Sequence, residues 1–253
     1  MKYVNRTIPL RILLSTVVGL FSLLLTAQNK NKDDVKLRYS AEYSGGAIIH
    51  TNGFGANFRY GQFLNAKSKR LWTAELVNMK HPKEQRSYNP FFENAKSYHF
   101  GKLNSMWLLR AQFGFQNTLF AKELKKSIEI NYIITGGPTL AFLKPIYLEV
   151  QSPAARGSRL STERYDPERH SLNNIYGRAG YLTGLSETSI YPGLSLKFAL
   201  NFEYAPEDEI LRSVEVGANF DAFHKEIEVM AFEHNNQFWL TLYANILIGK
   251  KML

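Results

Sequence analysis

Residues 190–204 alternate strictly between apolar and polar side chains, and this pattern constrains the fold more than any other feature of the chain. The apolar set is Leu194, Leu196, Phe198, Leu200, Phe202 and Tyr204. The other set is Ser195, Lys197, Ala199, Asn201 and Glu203. Successive side chains of a β-strand point to opposite faces, so this segment is predicted to be a strand with one apolar and one polar face. A helical period does not produce the pattern.

The same alternation recurs along the chain and predicts eight β-strands. Their approximate spans are Leu37–Thr51, Phe54–Phe63, Leu71–His81, Leu103–Gln116, Ser127–Val150, Ile190–Tyr204, Arg212–Ala222 and Gln237–Gly249. The run Gly136-Gly137-Pro138 is expected to interrupt the fifth strand with a bend or a bulge. Ten strands are the alternative, if residues 174–185 also pair into the sheet.

The first 27 residues form a separate block that predicts a cleaved secretory signal peptide. A basic start precedes an apolar run over residues 12–25, and Leu25-Thr26-Ala27 offers small-residue cleavage chemistry. A single membrane-anchor helix is the alternative, but the run is short for a span, which needs about 20 residues. Residues 28–36 then form a short polar segment before the main domain at 37–253.

An exported chain with repeated amphipathic strands is predicted to be an outer-membrane protein of a diderm bacterium, because only closed barrels and helices satisfy every backbone hydrogen bond in lipid. The predicted fold is all-β, an antiparallel transmembrane up-and-down β-barrel. With both termini in the periplasm, three links at that end are short: about 64–70, 117–126 and 205–211. Most outward links are longer: 82–102, 151–187 and 223–236. This asymmetry is typical of such barrels.

A soluble exported β-sandwich or lipocalin-like barrel would also alternate, with its polar face outward. The apolar faces here are unusually large and aromatic, and several aromatics fall near strand ends, where membrane interfaces place them. These are Tyr60, Trp72, Tyr132, Phe202 and Tyr204. The membrane barrel therefore explains the pattern better.

The composition excludes several classes of protein. The chain has no cysteine, which excludes a lipoprotein anchor, disulfides and metal sites built on thiolates. The formal charge is +9, and about +6 once the three cations of the acid-free signal peptide are removed. On an exported protein, anionic lipid or lipopolysaccharide phosphate is a better counterpart for this charge than nucleic acid.

Eight charged residues on the polar faces are expected to point into the lumen. They are Arg59, Glu75, Arg110, Glu129, Lys197, Glu203, Glu215 and Asp221. An eight-stranded lumen is just wide enough for its own side chains, and buried charges are costly unless they are paired. We therefore expect a charge network that plugs the lumen. A narrow polar pathway or a proton-linked binding site is the alternative.

No catalytic motif, cofactor loop or metal-ligand spacing is recognisable, so no enzymatic activity, cofactor or metal is expected. The nearest cluster to a hydrolase triad is His170-Ser171 with Asp166 and Glu168, in a polar loop. A lipid-modifying outer-membrane hydrolase therefore remains the third functional alternative.

The long outer loops are the candidate binding surface, because long loops in compact domains are usually functional or disordered. The residues singled out are Tyr88, Phe91, Phe92, Arg156, Arg159, Arg164 and Arg169. Docking of other envelope proteins is one expectation. A solvated loop that contacts lipopolysaccharide is the other.

Several segments resemble a family of small, uncharacterised outer-membrane β-barrels from Bacteroidota. The segments are Val77–Glu84, Gly101–Ser105, Leu108–Arg110, Gly136–Pro138, Leu143–Tyr147 and Gly249–Lys251. The resemblance implies the fold and the location and brings no activity. We expect a structural or accessory subunit of an envelope complex for secretion or barrel assembly. A narrow transporter or binding barrel for a small or hydrophobic ligand is the alternative.

Overall fold

The computed structural model describes residues 39–92, 94–121, 128–151, 160–204 and 209–253. The predicted signal peptide and the segment 28–36 lie outside the described residues. A short 3-10 helix covers Leu185–Glu187. The strands are β1 Ala41–His50, β2 Gly53–Asn65, β3 Ser68–Met79, β4 Arg86–Ser87, β5 Tyr98–His99, β6 Asn104–Phe120, β7 Ile128–Pro145, β8 Tyr147–Gln151, β9 Leu160–Arg164, β10 Ile175–Arg178, β11 Ser189–Tyr204, β12 Ile210–Phe223 and β13 Phe238–Met252.

Eight long strands close into an antiparallel barrel, which confirms the predicted fold. The order around the barrel is β1-β13-β12-β11-β7-β6-β3-β2, and β2 pairs back onto β1. The ten-strand alternative is wrong, because Ile175–Arg178 pairs with β8 in a small sheet outside the barrel. The predicted end of the fifth strand belongs to that sheet too, as Tyr147–Gln151 pairs with β9 and β10.

The predicted interruption at Gly136–Pro138 is confined to one side of the strand: β7 runs through it without a bulge, and only the pairing of Gly137 and Pro138 with β6 is missing. Its ladder with β11 keeps one register from Ile128–Tyr204 to Leu143–Ser189. Proline removes only its own donor, and the bonding to β6 resumes in the same register beyond it. Gly137 is needed for close approach, since a Cβ there would lie 2.1 Å from the Ala111 carbonyl oxygen.

The two ends of the barrel differ in the length of their connections. The first and last barrel residues, Ala41 and Met252, pair at one end, where β2 and β3 are joined by a tight turn. The opposite end carries three long loops: residues 80–103, 146–188 and 224–237. It also carries the short turn that joins β1 to β2. Gly53 is the first residue of β2 after this turn, and a Cβ there would lie 2.1 Å from the Asn78 carbonyl oxygen. These long loops hold the small β4–β5 and β8–β9–β10 sheets.

The barrel strands have an apolar outer face and a polar inner face. Phe198 is 55% exposed, whereas its neighbour Lys197 is 0% exposed. On the outer wall, the rings of Tyr60, Trp72 and Phe113 form a continuous row near the end that holds the termini, with centroids 5.6 Å and 5.4 Å apart. The chain therefore turns its hydrocarbon toward the surroundings and its charges toward the lumen.

Candidate functional site: the ion-paired lumen and the outer loops

Six of the eight lumen charges predicted from the sequence meet near the middle of the barrel. They are Arg59, Glu75, Arg110, Lys197, Glu215 and Asp221, each 3% exposed or less. A continuous water-filled pore would leave such side chains accessible. Three cations face three carboxylates, so the cluster is neutral as a whole.

Arg110 is the central cation of this cluster. Its guanidinium binds Asp221 through two parallel hydrogen bonds, Nε to Oδ1 at 2.9 Å and Nη2 to Oδ2 at 2.6 Å. Its third nitrogen, Nη1, donates to Glu75 Oε2 at 3.2 Å. Bidentate Arg–carboxylate pairs are strong and directional. Arg110 thereby joins strands β3, β6 and β12 across the lumen.

Lys197 on β11 and Arg59 on β2 complete the cluster. The Lys197 ammonium donates to Glu75 and lies 3.9 Å from Glu215 Oε1. Arg59 donates to the second oxygen of Glu215, and the Tyr243 hydroxyl donates to Glu215 Oε1 at 2.6 Å. Every carboxylate in the cluster thus accepts charged or hydroxyl donors, which is the condition for burying it.

A second ion-paired cluster lies nearer the termini and includes three residues missed by the sequence reasoning: Glu42, Lys69 and Lys251. Lys69 Nζ donates to Glu42 at 2.8 Å and to Glu203 at 3.4 Å, and Lys251 Nζ donates to Glu203 at 2.5 Å. Glu129, half-buried, pairs in register with Glu203 on the adjacent strand.

The signal for the two lysines was present in the alternation. Lys69 is in phase with the inward residue Leu71, and Lys251 is in phase with Leu247. The predicted third strand began only at Leu71 and the last ended at Gly249. In the structure, β3 begins at Ser68 and β13 extends to Met252. Extending each pattern by one period would have found them.

An apolar cap covers the lumen at the loop end. Ile227, Val229 and Met230 from the last outer loop are buried in a cluster with inward barrel residues such as Met106 and Trp239. This loop is tied to the first long loop by backbone hydrogen bonds at 2.9 Å and 2.7 Å. Three layers therefore follow one another along the lumen: an apolar cap, a central ion-pair cluster and a second cluster near the termini.

The predicted outer-loop surface is only partly brought together. Tyr88 and Phe91 are exposed, whereas Phe92 packs on Tyr176 with ring centroids 5.5 Å apart. Arg164 and Arg169 line a separate open cleft beside Asp166. Arg156 and Arg159 lie outside the described residues.

The cluster around His170, which was compared with a hydrolase triad, holds its loop together. His170 is 5% exposed, and its Nδ1 accepts the Asp166 backbone N–H at 3.0 Å. Its Nε2 faces Glu163 Oε2 at 3.3 Å, and its ring stacks on Tyr165. Both ring nitrogens are thus engaged in holding the loop, and its carboxylate partner is Glu163 instead of the predicted Asp166 or Glu168.

Within the described ranges, no group of three or more His, Cys, Asp or Glu side chains could hold a metal ion. Across the same part of the chain, no helix is long and apolar enough to cross a membrane.

No protein-family model matches the chain, and no curated protein matches it. Two solved structures are similar in shape. Neisserial surface protein A (NspA) gives a TM-score of 0.44 at 8% identity, over 84% of this chain and 96% of that one. Ail, the attachment invasion locus protein of Yersinia pestis, gives a TM-score of 0.37 at 8% identity, over 85% of this chain and 98% of that one. Both scores are low, so the barrel architecture rests on the strand pairing of this chain itself.

Proposed function

We propose that the protein is an outer-membrane β-barrel whose lumen is closed by ion pairs, and that it serves as a structural or accessory subunit of an envelope complex for secretion or barrel assembly. The observation that carries the membrane placement is the inverted polarity of the wall. Large apolar side chains such as Leu240 and Ile246 are 67% and 62% exposed, while charged residues fill the interior. Soluble proteins rarely expose so large a continuous apolar surface.

The closed lumen supports an accessory role over a diffusive pore. Ion pairs join strands that are not adjacent, as Arg110 with Asp221 and Lys197 with Glu75, and the apolar cap covers the loop end. Such a barrel acts as a rigid plug that holds its outer loops in one arrangement. Those loops expose Tyr88 and Phe91 for contacts with lipopolysaccharide or with other envelope proteins.

The fold and the location are tested by fractionation and by heat-modifiability. A closed ladder of backbone hydrogen bonds should keep the protein compact in detergent until it is boiled, so the unboiled band should migrate differently on a gel. Release from membranes by carbonate would contradict the membrane placement. Purification of the native complex in a mild detergent should show co-eluting envelope proteins, and elution of the barrel alone would argue against the accessory role.

A narrow transporter or binding barrel is the second candidate, and one observation favours it. Both amide atoms of Asn57 and of Asn245 are buried in the lumen without a hydrogen-bond partner among the described residues. Water molecules would satisfy these amide atoms, and they would then form a narrow hydrated path beside the ion pairs. Planar-bilayer recordings separate the two candidates, because the plug predicts no steady conductance and a polar track predicts a small one.

Export and origin rest on the sequence, and the non-enzymatic role rests on a structural observation. Export by a cleaved signal peptide is tested by sequencing the mature N-terminus, where Gln28 is expected first. An origin in Bacteroidota follows from the family resemblance. The absence of lipid-modifying activity is supported by the engagement of both ring nitrogens of His170.

A further inference from the structure

A cavity of about 780 Å³ lies on the outside of the barrel at the loop end, separate from the lumen. Its floor is formed by Phe54 and Trp107, which belong to the outward-facing sets of β2 and β6 and contact each other edge to face at 6.5 Å. Its other walls come from the first and second long loops, including Tyr98 and Tyr147. The cavity therefore lies where the apolar belt ends and the polar loops begin.

The walls of this cavity are strongly cationic. Five basic side chains line it: Lys80, Lys96, Lys102, Lys144 and Arg178. Glu84 is the sole carboxylate in the lining, and it already accepts a hydrogen bond from the Lys102 ammonium at 2.6 Å. Lys96 is bound by Glu149 at 2.7 Å, so the excess of positive charge over the apolar floor comes from Lys80, Lys144 and Arg178.

Several of these groups lack a charge partner of their own. Lys80 and Arg178 are exposed and make no salt bridge within the described part of the chain. Lys144 donates to the Tyr181 carbonyl oxygen at 2.6 Å in place of a carboxylate. Burial lowers the pKa of Lys102 despite its bond to Glu84, so a nearby anion would stabilise its charge.

We propose that this cavity binds the phosphate-bearing headgroup of an outer-leaflet lipid, with the acyl chains lying along the apolar wall below Phe54 and Trp107. The apolar floor selects a lipid, because it continues the outward belt of the barrel without a polar boundary. An acidic peptide would leave that floor uncovered. The proposal rests on the membrane placement of the barrel proposed above.

Trp107 provides a local probe. The chain has three tryptophans, of which Trp239 is buried in the lumen and Trp72 faces outward near the opposite end. The variant Trp72→Phe leaves Trp107 as the outward-facing reporter. It is reconstituted in phosphatidylcholine nanodiscs that contain a minor fraction of either brominated phosphatidic acid or brominated phosphatidylcholine. We expect the brominated phosphatidic acid to quench Trp107 at a lower lipid fraction.

Replacing the two unpaired cations tests the assignment. In the Trp72→Phe background, Lys80→Gln with Arg178→Gln should raise the fraction of phosphatidic acid required by about fivefold per cation removed, the effect of one basic residue at an anionic lipid surface. The matched control is Arg169→Gln with Lys225→Gln, two exposed outer-loop cations outside this cavity. The control pair should leave the quenching nearly unchanged.

Three outcomes would overturn the proposal: equal quenching by the two brominated lipids, an equal shift in the control pair, or loss of the preference on adding inorganic phosphate but not chloride at the same ionic strength. The last would assign the cavity to soluble phosphate. Heat-modifiability is recorded for each sample. A barrel that inserts but shows no preference would refute only the headgroup site, whereas a barrel that does not insert would refute the membrane placement.

Discussion

Arg110 on β6 and Asp221 on β12 are joined across the lumen by two parallel hydrogen bonds of 2.9 Å and 2.6 Å. Neither residue is more than 1% exposed. The two strands are not neighbours in the barrel, so this pair connects opposite parts of the wall. This ion pair ties the two strands together through the lumen. Removing one partner should therefore destabilise the barrel.

Arg110→Ala should lower the unfolding temperature of the refolded barrel strongly. It removes the ion-pair partner of Asp221 and one of the two cations that bind Glu75, and breaking a buried pair costs about 3–5 kcal/mol. Unfolding can be followed by the loss of the fast-migrating band on heating. Arg169→Ala is the matched control, an exposed outer-loop arginine whose loss should change the transition little.

The double variant Arg110→Met with Asp221→Leu sharpens this test. Replacing a buried ion pair by apolar residues of similar size is often neutral or stabilising. The double variant should therefore be more stable than Arg110→Ala. A double variant as unstable as the single one would show that Arg110 acts through Glu75 or through packing instead.

The two faces of a strand should respond differently to substitution. Phe198→Arg and Leu240→Arg place a cation on the apolar outer wall and should impair insertion by about 2–4 kcal/mol in the bilayer midplane. Asn201→Ala removes a lumen side chain whose amide donates to Ser213 at 3.1 Å, which should cost about 1 kcal/mol. Folding yield in lipid vesicles measures both. Equal effects would contradict the lipid-facing assignment of the outer wall.

The apolar cap should be able to loosen while the barrel stays folded. Ile227 is fully buried in the cap, so Ile227→Ala should loosen it at a cost of about 2–5 kcal/mol. Limited proteolysis should then cut the loop at 224–237 faster, while heat-modifiability of the barrel stays. Glu226→Ala is the exposed neighbour and control. Loss of the heat-modifiable band in Ile227→Ala would show that the cap is part of the barrel's own stability.

Alternation predicted the barrel and its inward set because the period of two ties each residue to a face. Arg59, Lys197 and Asp221 all lie on the predicted side. The pattern could not show which charges meet, because pairs such as Lys197 with Glu75 join strands that are not adjacent. The outer cavity could not be predicted from the sequence for a related reason. Its walls come from loops that have no alternating pattern and that meet only in the folded protein.

Gly137 offers the clearest test of close packing between neighbouring strands. A Cβ at this position would lie 2.1 Å from the Ala111 carbonyl oxygen and 3.0 Å from the Gln112 Cα, and backbone atoms cannot move aside. Gly137→Val should therefore separate β6 from β7 next to the proline-weakened part of their ladder and reduce barrel assembly. Gly45→Val is the control, since a Cβ at Gly45 meets only the Asn57 carbonyl oxygen at 3.7 Å. Gly45→Val should fold to a heat-modifiable barrel with nearly the yield of the unmodified chain. Similar losses in the two variants would mean that both positions resist a β-branched side chain for a reason other than this contact.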